Sequence, residues 1–372
     1  MTILPIASKK EIDRFIKLPH AIYAQDPNWV APLISEQKKM FDPEKNPMLK
    51  HCTYQLFLCL DGKQVVGRIL TFVDHLANEF WRTKLGFFGA YDCVNDTEAS
   101  EALFRAAREW SLSQGMDTLR GPINLSSQEW GFVVKGFAEP PMLMSPYNPP
   151  YYNDQAEKFG LQKAKDLLVY CANGENYHIP ARFLKYTDLL CQRYHLRVRC
   201  LNMKQLLQDV RTIVTVSNQA LADNWGYAPV TDEEADAIAR DLKMIVDPNV
   251  VFIVEADGQP IGFSITFPDL NVVLKKIKGR LLPFGIFHLL TGIRRIRNYR
   301  IWALGIVPAF QHKVIDTLLY RKTYDALKSK ASLVEANYVL EDNYPMRHAI
   351  EKLGFHYAKT YRVYEMRLKE SL

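Results

Sequence analysis

The sequence predicts a mixed α/β protein built as two copies of one fold, each a largely antiparallel sheet flanked by helices. Three observations carry that expectation. Short stretches recur in the same order in both halves of the 372 residues, at offsets running from 194 to 196. Each half holds an Asp-Gly turn between β-rich runs, a strong hairpin signal. Each half then carries a long amphipathic stretch and closes on a helix ending in Lys-x-Gly, followed by a strand.

The elements follow in order. Ile6-Ala7-Ser8-Lys9 matches Leu201-Asn202-Met203-Lys204, and Asn28-Trp29-Val30-Ala31-Pro32 matches Asn224 to Pro229. A short strand and a helical region ending at an Asn-Trp turn therefore open each copy. Asp61-Gly62 joins strands over 55–60 and 65–72, and Asp257-Gly258 joins strands over 250–256 and 260–267. A strand, a turn and an amphipathic helix come next, the helices at 99–114 and 315–330. Glu157 to Tyr170 then overlies Glu351 to Tyr364 with 7 of 14 positions identical. There a helix stops at Gly160 and at Gly354, the left-handed C-cap position, and a final strand completes each copy. The expected division is a first domain over 1–172, a linker helix over 173–197 and a second domain over 198–372.

Composition removes several classes of protein. Lys plus Arg at 47 against Asp plus Glu at 41 gives a net charge of +6, with 48% hydrophobic and 24% charged residues. Disorder, collagen-like repeats and an Arg-rich tail are excluded. Met1-Thr2-Ile3-Leu4-Pro5 lacks the basic-then-apolar pattern of a secretory signal. The longest apolar stretch, 281–293, is broken by Pro283 and His288 and falls short of the ~20 residues that cross a bilayer. The six cysteines include no C-x-x-C pair, so neither a zinc site nor a disulfide framework is indicated, and no metal is expected. A cytoplasmic protein with reduced thiols is expected.

The second copy resembles the GNAT superfamily of acyl-CoA N-acyltransferases. The resemblance rests on Ile301-Trp302-Ala303-Leu304-Gly305-Ile306-Val307-Pro308, on Gln311 to Asp316 leading into the helix from Thr317, and on Glu341-Asp342-Asn343 through Glu351-Lys352-Leu353-Gly354-Phe355. It covers most of 200–372 and extends through the duplication, more weakly, to 1–172, so the whole resembles a tandem GNAT protein. It implies acetyl-CoA or another acyl-CoA as co-substrate, bound along Leu304, Gly305, Ile306 and Val307 and at the turn Gln311, His312, Lys313, Val314, Ile315, Asp316. A strand running straight into a helix presents free N–H groups and the positive end of the helix dipole to an anion. The family places Gln or Arg, two residues, Gly, one residue, then Gly or Ala at this turn. Gln311 matches, whereas Val314 and Asp316 occupy the small positions, and Asp316 reads equally as an ordinary residue of a helix start.

On the catalytic side the resemblance assigns Asn343 to the family's Asn. The tyrosine that protonates the departing thiolate in resembling enzymes is replaced by Ile350, leaving Tyr344 and Tyr338 as nearby substitutes. Glu335 or the Glu341-Asp342 pair is the candidate general base. Taken singly, each of these residues also reads as ordinary packing or surface. The acceptor amine is expected near Trp225, Tyr227, Tyr338, Glu335 and Asn343, with direct attack on the thioester and no covalent enzyme intermediate. In the first copy the corresponding turn, Tyr91 to Glu98, puts Asp92, Asp96 and Glu98 where a pyrophosphate would sit, which makes that half structural or acceptor-binding.

Two insertions distinguish the copies. Arg120 to Pro141, rich in Gly, Pro, Asn and Trp, reads as an ordered loop that walls a pocket or simply packs. Leu270 to Arg300 holds Lys275, Lys276, Lys278, Arg280, Arg294, Arg295, Arg297 and Arg300, a charge of +8 with no Asp or Glu. Its centre is apolar, with Leu281, Leu282, Phe284, Ile286, Phe287, Leu289 and Leu290. A lid over the second copy's site is the first expectation. Peripheral contact with an anionic membrane, cover for an acyl chain or phosphate, and nucleic acid follow it. The sequence thus points to an acyl-CoA-dependent N-acyltransferase acting on a small-molecule amine. The alternatives are a Fem-type transferase dependent on aminoacyl-tRNA, or a non-catalytic ligand-binding tandem GNAT protein.

Overall fold

Capping and turn residues set the elements where the repeat places them. The computed structural model describes residues 1–6, 8–125, 129–243, 245–281 and 285–368. The first half runs β1 (Thr2–Pro5), α1 (Lys9–Ile22), α2 (Ile34–Met40), β2 (Cys52–Asp61), β3 (Gln64–Asp74), α3 (His75–Trp81), β4 (Leu85–Cys93), α4 (Thr97–Ser113), β5 (Thr118–Gly121), β6 (Phe132–Lys135), α5 (Tyr151–Lys158) and β7 (Gln162–Asn173). The second runs α6 (Ala181–Arg193), β8 (Leu196–Cys200), α7 (Leu206–Ala220), α8 (Asp232–Leu242), β9 (Val251–Ala256), β10 (Gln259–Pro268), α9 (Asn271–Ile277), α10 (Gly285–Ile293), β11 (Asn298–Ile306), α11 (Asp316–Leu327), β12 (Leu333–Leu340), α12 (Tyr344–Lys352) and β13 (His356–Arg367).

Reciprocal capping boxes, Ser8 with Glu11 and Thr231 with Glu234, start α1 and α8. Asp257 (φ 47°) and Gly258 (φ 80°) both take the left-handed conformation that a two-residue hairpin turn requires. Gly160 (φ 99°) and Gly354 (φ 89°) take it just past α5 and α12, as the Lys-x-Gly endings predict. No helix among the described residues is long and apolar enough to cross a membrane.

The chain divides into two compact units, and neither is one continuous stretch. The first comprises Met1–Leu167, Asn271–Gly292 and Lys359–Leu372; the second comprises Leu168–Leu270 and Ile293–Ala358. The strand order in the first unit is β1-β2-β3-β4-β5-β13, with β6 also paired to β13. In the second it is β7-β12-β11-β10-β9-β8. Most neighbours are antiparallel; β4 with β5 and β11 with β12 are parallel, with α4 and α11 as the crossovers parallel pairing demands.

The repeat makes β7 and β13 equivalent strands, yet each closes the other copy's sheet. β13 lies antiparallel on β5 with Tyr364 opposite Gly121, and Tyr364 and Leu368 are buried in the first core with Phe88, Phe104, Phe132 and Tyr152. Tyr170 and Ala172, from the far end of β7, are buried in the second core with Leu327, Val334, Ile350 and Phe355. The boundaries 1–172 and 198–372 follow the repeat, and the compact units are a different division of the same chain.

The basic insertion is divided between the two units. α9 and α10 belong to the first unit through Gly292. There Asn271 Nδ2 donates to the Pro141 carbonyl at 2.8 Å, and the Ile34 N–H donates to the Gly279 carbonyl at 3.1 Å. A backbone donor at the start of α2 and a backbone acceptor at the end of the first insertion hold the segment. Leu282 and Phe284 lie outside the described residues. Arg300, counted with the basic cluster, is a fully buried residue of β11. The first insertion packs into the sheet through β6 and a bridge between Ile123 and Trp130.

Candidate active site

In the second unit β11 and β12 pair only from Asn298 to Ile301 against Leu333 to Ala336. Among the described residues no further pairing between them follows, and the strand partner of the stretch from Trp302 to Ile306 is β10. Trp302 is an extra residue there: Ile265 faces Ala303 while Thr266 faces Ile301, a bulge that re-aims the strand. The parting leaves backbone N–H and C=O groups along 302–306 to be satisfied by something other than a neighbouring strand.

At the apex lies a buried polar cluster. Arg300 and Glu335 are cross-strand partners, 0% and 2% exposed, with Nε and Oε1 3.8 Å apart. Asn337 Nδ2 donates to Glu335 Oε1 at 3.0 Å. The Arg300 guanidinium lies 5.5 Å from the Tyr338 ring centroid, which gives the cation an aromatic face as well as a counter-ion. Thr266 is fully buried on β10, and its hydroxyl has no hydrogen-bond partner among the described residues.

At its far end β11 runs through a short turn into α11. Gln311 Nε2 donates to the Ile306 carbonyl at 3.0 Å, tying the turn to the strand. His312 and Val314 both have φ of 61°, the backbone conformation that glycine adopts without strain. Of the two positions where the family has small residues, Val314 takes this conformation, 55% exposed, and Asp316 does not. The Lys313 ammonium sits 4.5 Å from the Phe310 ring centroid and 5.4 Å from that of Tyr194. Ile315 is buried in the core. Asp316 places its own carboxylate at the helix start, near the Tyr320 hydroxyl and the backbone N–H groups of residues 316 and 317. Burial still pushes that carboxyl above its ordinary value, against the pull of those donors.

The remaining expected residues are dispersed. Asn343 caps α12, its Oδ1 accepting from the Met346 N–H at 3.1 Å. Tyr344 is 60% exposed, with the Arg347 guanidinium 5.4 Å from its ring centroid. No hydrogen bond among the described residues joins it to Glu335. Ile350 is core. The Tyr227 hydroxyl donates to Asn218 Oδ1 at 2.6 Å, and Asn218 also bonds the Val230 backbone in both directions. Tyr227 thus anchors the turn holding Trp225 onto α7. Sequence reasoning missed Arg300, Thr266 and Asn337; a lone cation between Tyr299 and Ile301 in a β-rich run was the available signal.

Among the described residues the first unit has no such opening. β4 and β5 pair from Leu85 to Phe87. The Ile123 N–H then donates to the Phe88 carbonyl at 2.8 Å, and the Ala90 N–H to Asn124 Oδ1 at 2.7 Å. Chain fills the gap so closely that a Cβ on Gly89 would strike the Ile123 carbonyl. Asp96 caps α4, accepting from the Ala99 N–H at 2.8 Å. Asp92 is buried against Arg68 at 2.7 Å and bonded by the Tyr23 hydroxyl at 2.8 Å. A surface cleft in this unit, lined by Arg82, Lys84, Asp117, Arg120, Glu365 and Arg367, contains none of the expected residues.

No model of a known protein family matches the chain. It is 34% identical to the bacterial ceramide synthase of Caulobacter vibrioides, covering 99% of this chain and 98% of that protein. It is 30% identical to protein YghO of Escherichia coli, covering 97% of this chain and 94% of that protein. Among solved structures, a tandem GNAT protein from the clavulanic acid biosynthesis pathway superposes with a TM-score of 0.55 at 14% identity, covering 100% of this chain and 99% of that one. A GCN5-related N-acetyltransferase from Sphaerobacter thermophilus gives 0.53 at 11% identity, covering 100% and 97%. These likenesses show the tandem GNAT fold that the sequence resemblance implies.

Proposed function

The chain belongs to the same family as the Caulobacter bacterial ceramide synthase and protein YghO, and from that premise we propose that it is an N-acyltransferase joining an acyl thioester to the amine of a long-chain amino alcohol. A ceramide is the amide of such an amine, so the relative's name points to bond formation at nitrogen. The observation that carries the reading is the parting of β11 from β12 beyond Ile301 and Ala336, with Glu335 at its apex.

In this reading the thioester arm of an acyl-CoA lies along Leu304 to Val307, and its phosphates reach the turn from Gln311 to Asp316. The amine enters from the side of Trp225 and Tyr338. Glu335 accepts the amine proton as nitrogen attacks the acyl carbon; the C–N bond forms, the C–S bond breaks, and the thiolate leaves protonated. Tyr344, beside Asn343, is the proposed proton donor. Arg300 is a positioning residue, holding the Glu335 side chain through charge and register.

The test is amide formation from acyl-CoA of graded chain length and a long-chain amino alcohol, followed by mass spectrometry. Glu335→Gln is expected to lower kcat about a hundredfold or more, and Val314→Glu to raise KM for the thioester with little change in kcat. Folded protein that forms no amide with any chain length refutes the proposal. The Asp316 carboxylate at the helix start favours one second reading, a donor arm without a nucleotide diphosphate. A higher kcat/KM with acyl-phosphopantetheine than with acyl-CoA would establish it.

A further inference from the structure

The exposed side of α10 carries apolar residues where a helix on a protein surface ordinarily carries polar ones. Gly285 and Leu289 are buried in the first unit, while Ile286, Phe287 and Leu290 face outward, Phe287 64% and Leu290 62% exposed. Positions 286, 287, 290 and 291 share one helical face by their spacing. Thr291 has the hydroxyl of that face, and its Oγ1 donates to the Phe287 carbonyl at 2.7 Å, so it carries a satisfied donor into an apolar layer. Just ahead in the same unit Lys275, Lys276, Lys278 and Arg280 are exposed, and none forms an ion pair among the described residues. No Asp or Glu occurs from Leu270 to Arg300.

We propose that α9 and α10 dock the protein on an anionic lipid surface. Ile286, Phe287 and Leu290 enter the boundary between headgroups and acyl chains, and Lys275, Lys276, Lys278 and Arg280 face the headgroup charges. An apolar face bordered by unneutralised cations is what an in-plane interfacial helix requires, and the acidic lipid supplies the counter-charge the segment lacks. A second copy of the chain fits less well, because a twofold contact through α10 would bring the same cations together. Nucleic acid would use the cations but leave the aliphatic side chains of Ile286 and Leu290 without a role. The inference stands on residues separate from the acyltransfer site, so either can fail alone.

The experiment is vesicle flotation of the full-length protein, with vesicles of equal parts phosphatidylglycerol and phosphatidylcholine set against phosphatidylcholine alone. Binding to the anionic vesicles is expected, weakening as salt is raised. Phe287→Ser with Leu290→Ser should reduce partitioning about tenfold or more, and Lys275→Gln with Lys276→Gln roughly five- to thirtyfold. All four positions are exposed, and circular dichroism melts of both double variants check that the fold is kept. Absence of binding to anionic vesicles overturns the proposal, as does binding that neither double variant weakens. A parallel tRNA titration closes the remaining route: RNA binding that needs the lysines but not Phe287 and Leu290, without vesicle binding, assigns the surface to nucleic acid instead.

Discussion

Replacing Arg300 by Met should be among the most destabilising single changes in the second unit. The guanidinium and the Glu335 carboxylate are 0% and 2% exposed, 3.8 Å apart. At an effective dielectric constant of about 20 their attraction is about 4 kcal/mol, offset by the desolvation of two ions. Arg300→Met removes the attraction and leaves the desolvation of Glu335 uncompensated, apart from the bond from Asn337. The expected cost is about 3–5 kcal/mol. Glu335→Met should cost a similar amount by removing the counter-ion of the buried guanidinium. The double variant, with apolar side chains of similar volume, should recover most of the loss. Urea unfolding of the four proteins completes the cycle, and native-state hydrogen exchange in peptides covering 298–306 and 333–340 locates the change. A single-variant cost below about 1 kcal/mol, or a double variant no better than either single, would show that the pair is not coupled as its geometry requires.

Three further predictions follow from other buried groups and from the strand exchange. Burial raises the Asp316 carboxyl above its ordinary value of 3.8, so the folded state holds that proton more tightly than the unfolded chain. Ionising it therefore costs stability as pH rises through the raised value, and Asp316→Asn should be more stable than the wild type at neutral pH, the gain fading toward the unfolded carboxyl pKa. Urea midpoints of both proteins against pH check this, and a wild type that gains on the variant as pH rises would contradict it. Thr266→Val removes a buried hydroxyl without a partner among the described residues and should stabilise by about 1–2 kcal/mol; a fall in the unfolding midpoint would reveal a bond to that hydroxyl. Residues 1–197 and 198–372, produced separately, should each fail to fold, since each copy's sheet is closed by the other's last strand. Mixed, they should regain native near-ultraviolet dichroism, whereas a cooperative unfolding transition in either alone would refute the exchange.

Much of the fold was legible because local chemistry recurs. Asp257-Gly258, Gly160, Gly354 and the Glu-Lys-x-Gly repeat each announce a backbone conformation that few residues adopt, and each adopts it. The strand exchange was not legible for the same reason. β7 and β13 share 7 of 14 positions with the helix ends before them, so nothing in their sequence distinguishes one sheet from the other. The docking of α9 on the first unit depends on backbone acceptors at Pro141 and a donor at Ile34, groups common to every residue and silent in sequence. Arg300 was read as one more surface cation because a charge run conceals the member that alternates inward. The turn from Gln311 to Asp316 lacks the family's small residues in sequence, and only the structure shows that Val314 keeps a left-handed backbone there without glycine.

That survival bears on which copy retains function. A branched residue in the left-handed region costs roughly 1–2 kcal/mol, and persists only where its surroundings over-determine it. Around Val314 they do. The Val314 carbonyl accepts from Thr317 Oγ1 at 2.6 Å and from the Thr317 N–H at 3.2 Å, and Ile315, Leu318 and Leu319 on either side are buried. The turn is held by the packing of α11 rather than by its own residues, so its shape tolerates substitution while its electrostatics change with Asp316. The first unit was filled instead. Ile123 and Asn124 bond the β4 residues that correspond to the free edge of β11, and Asp96 satisfies the helix start. A ligand arm needs unpaired strand backbone, and the second unit offers it from Trp302 to Ile306. On the proposed function, that edge would recognise the donor, with the phosphate turn reduced to a minor contribution. Val314→Gly with Asp316→Gly restores both small positions and should tighten acyl-CoA binding by isothermal calorimetry at least severalfold. Unchanged affinity in the folded double variant would mean that the phosphates do not reach the turn at all.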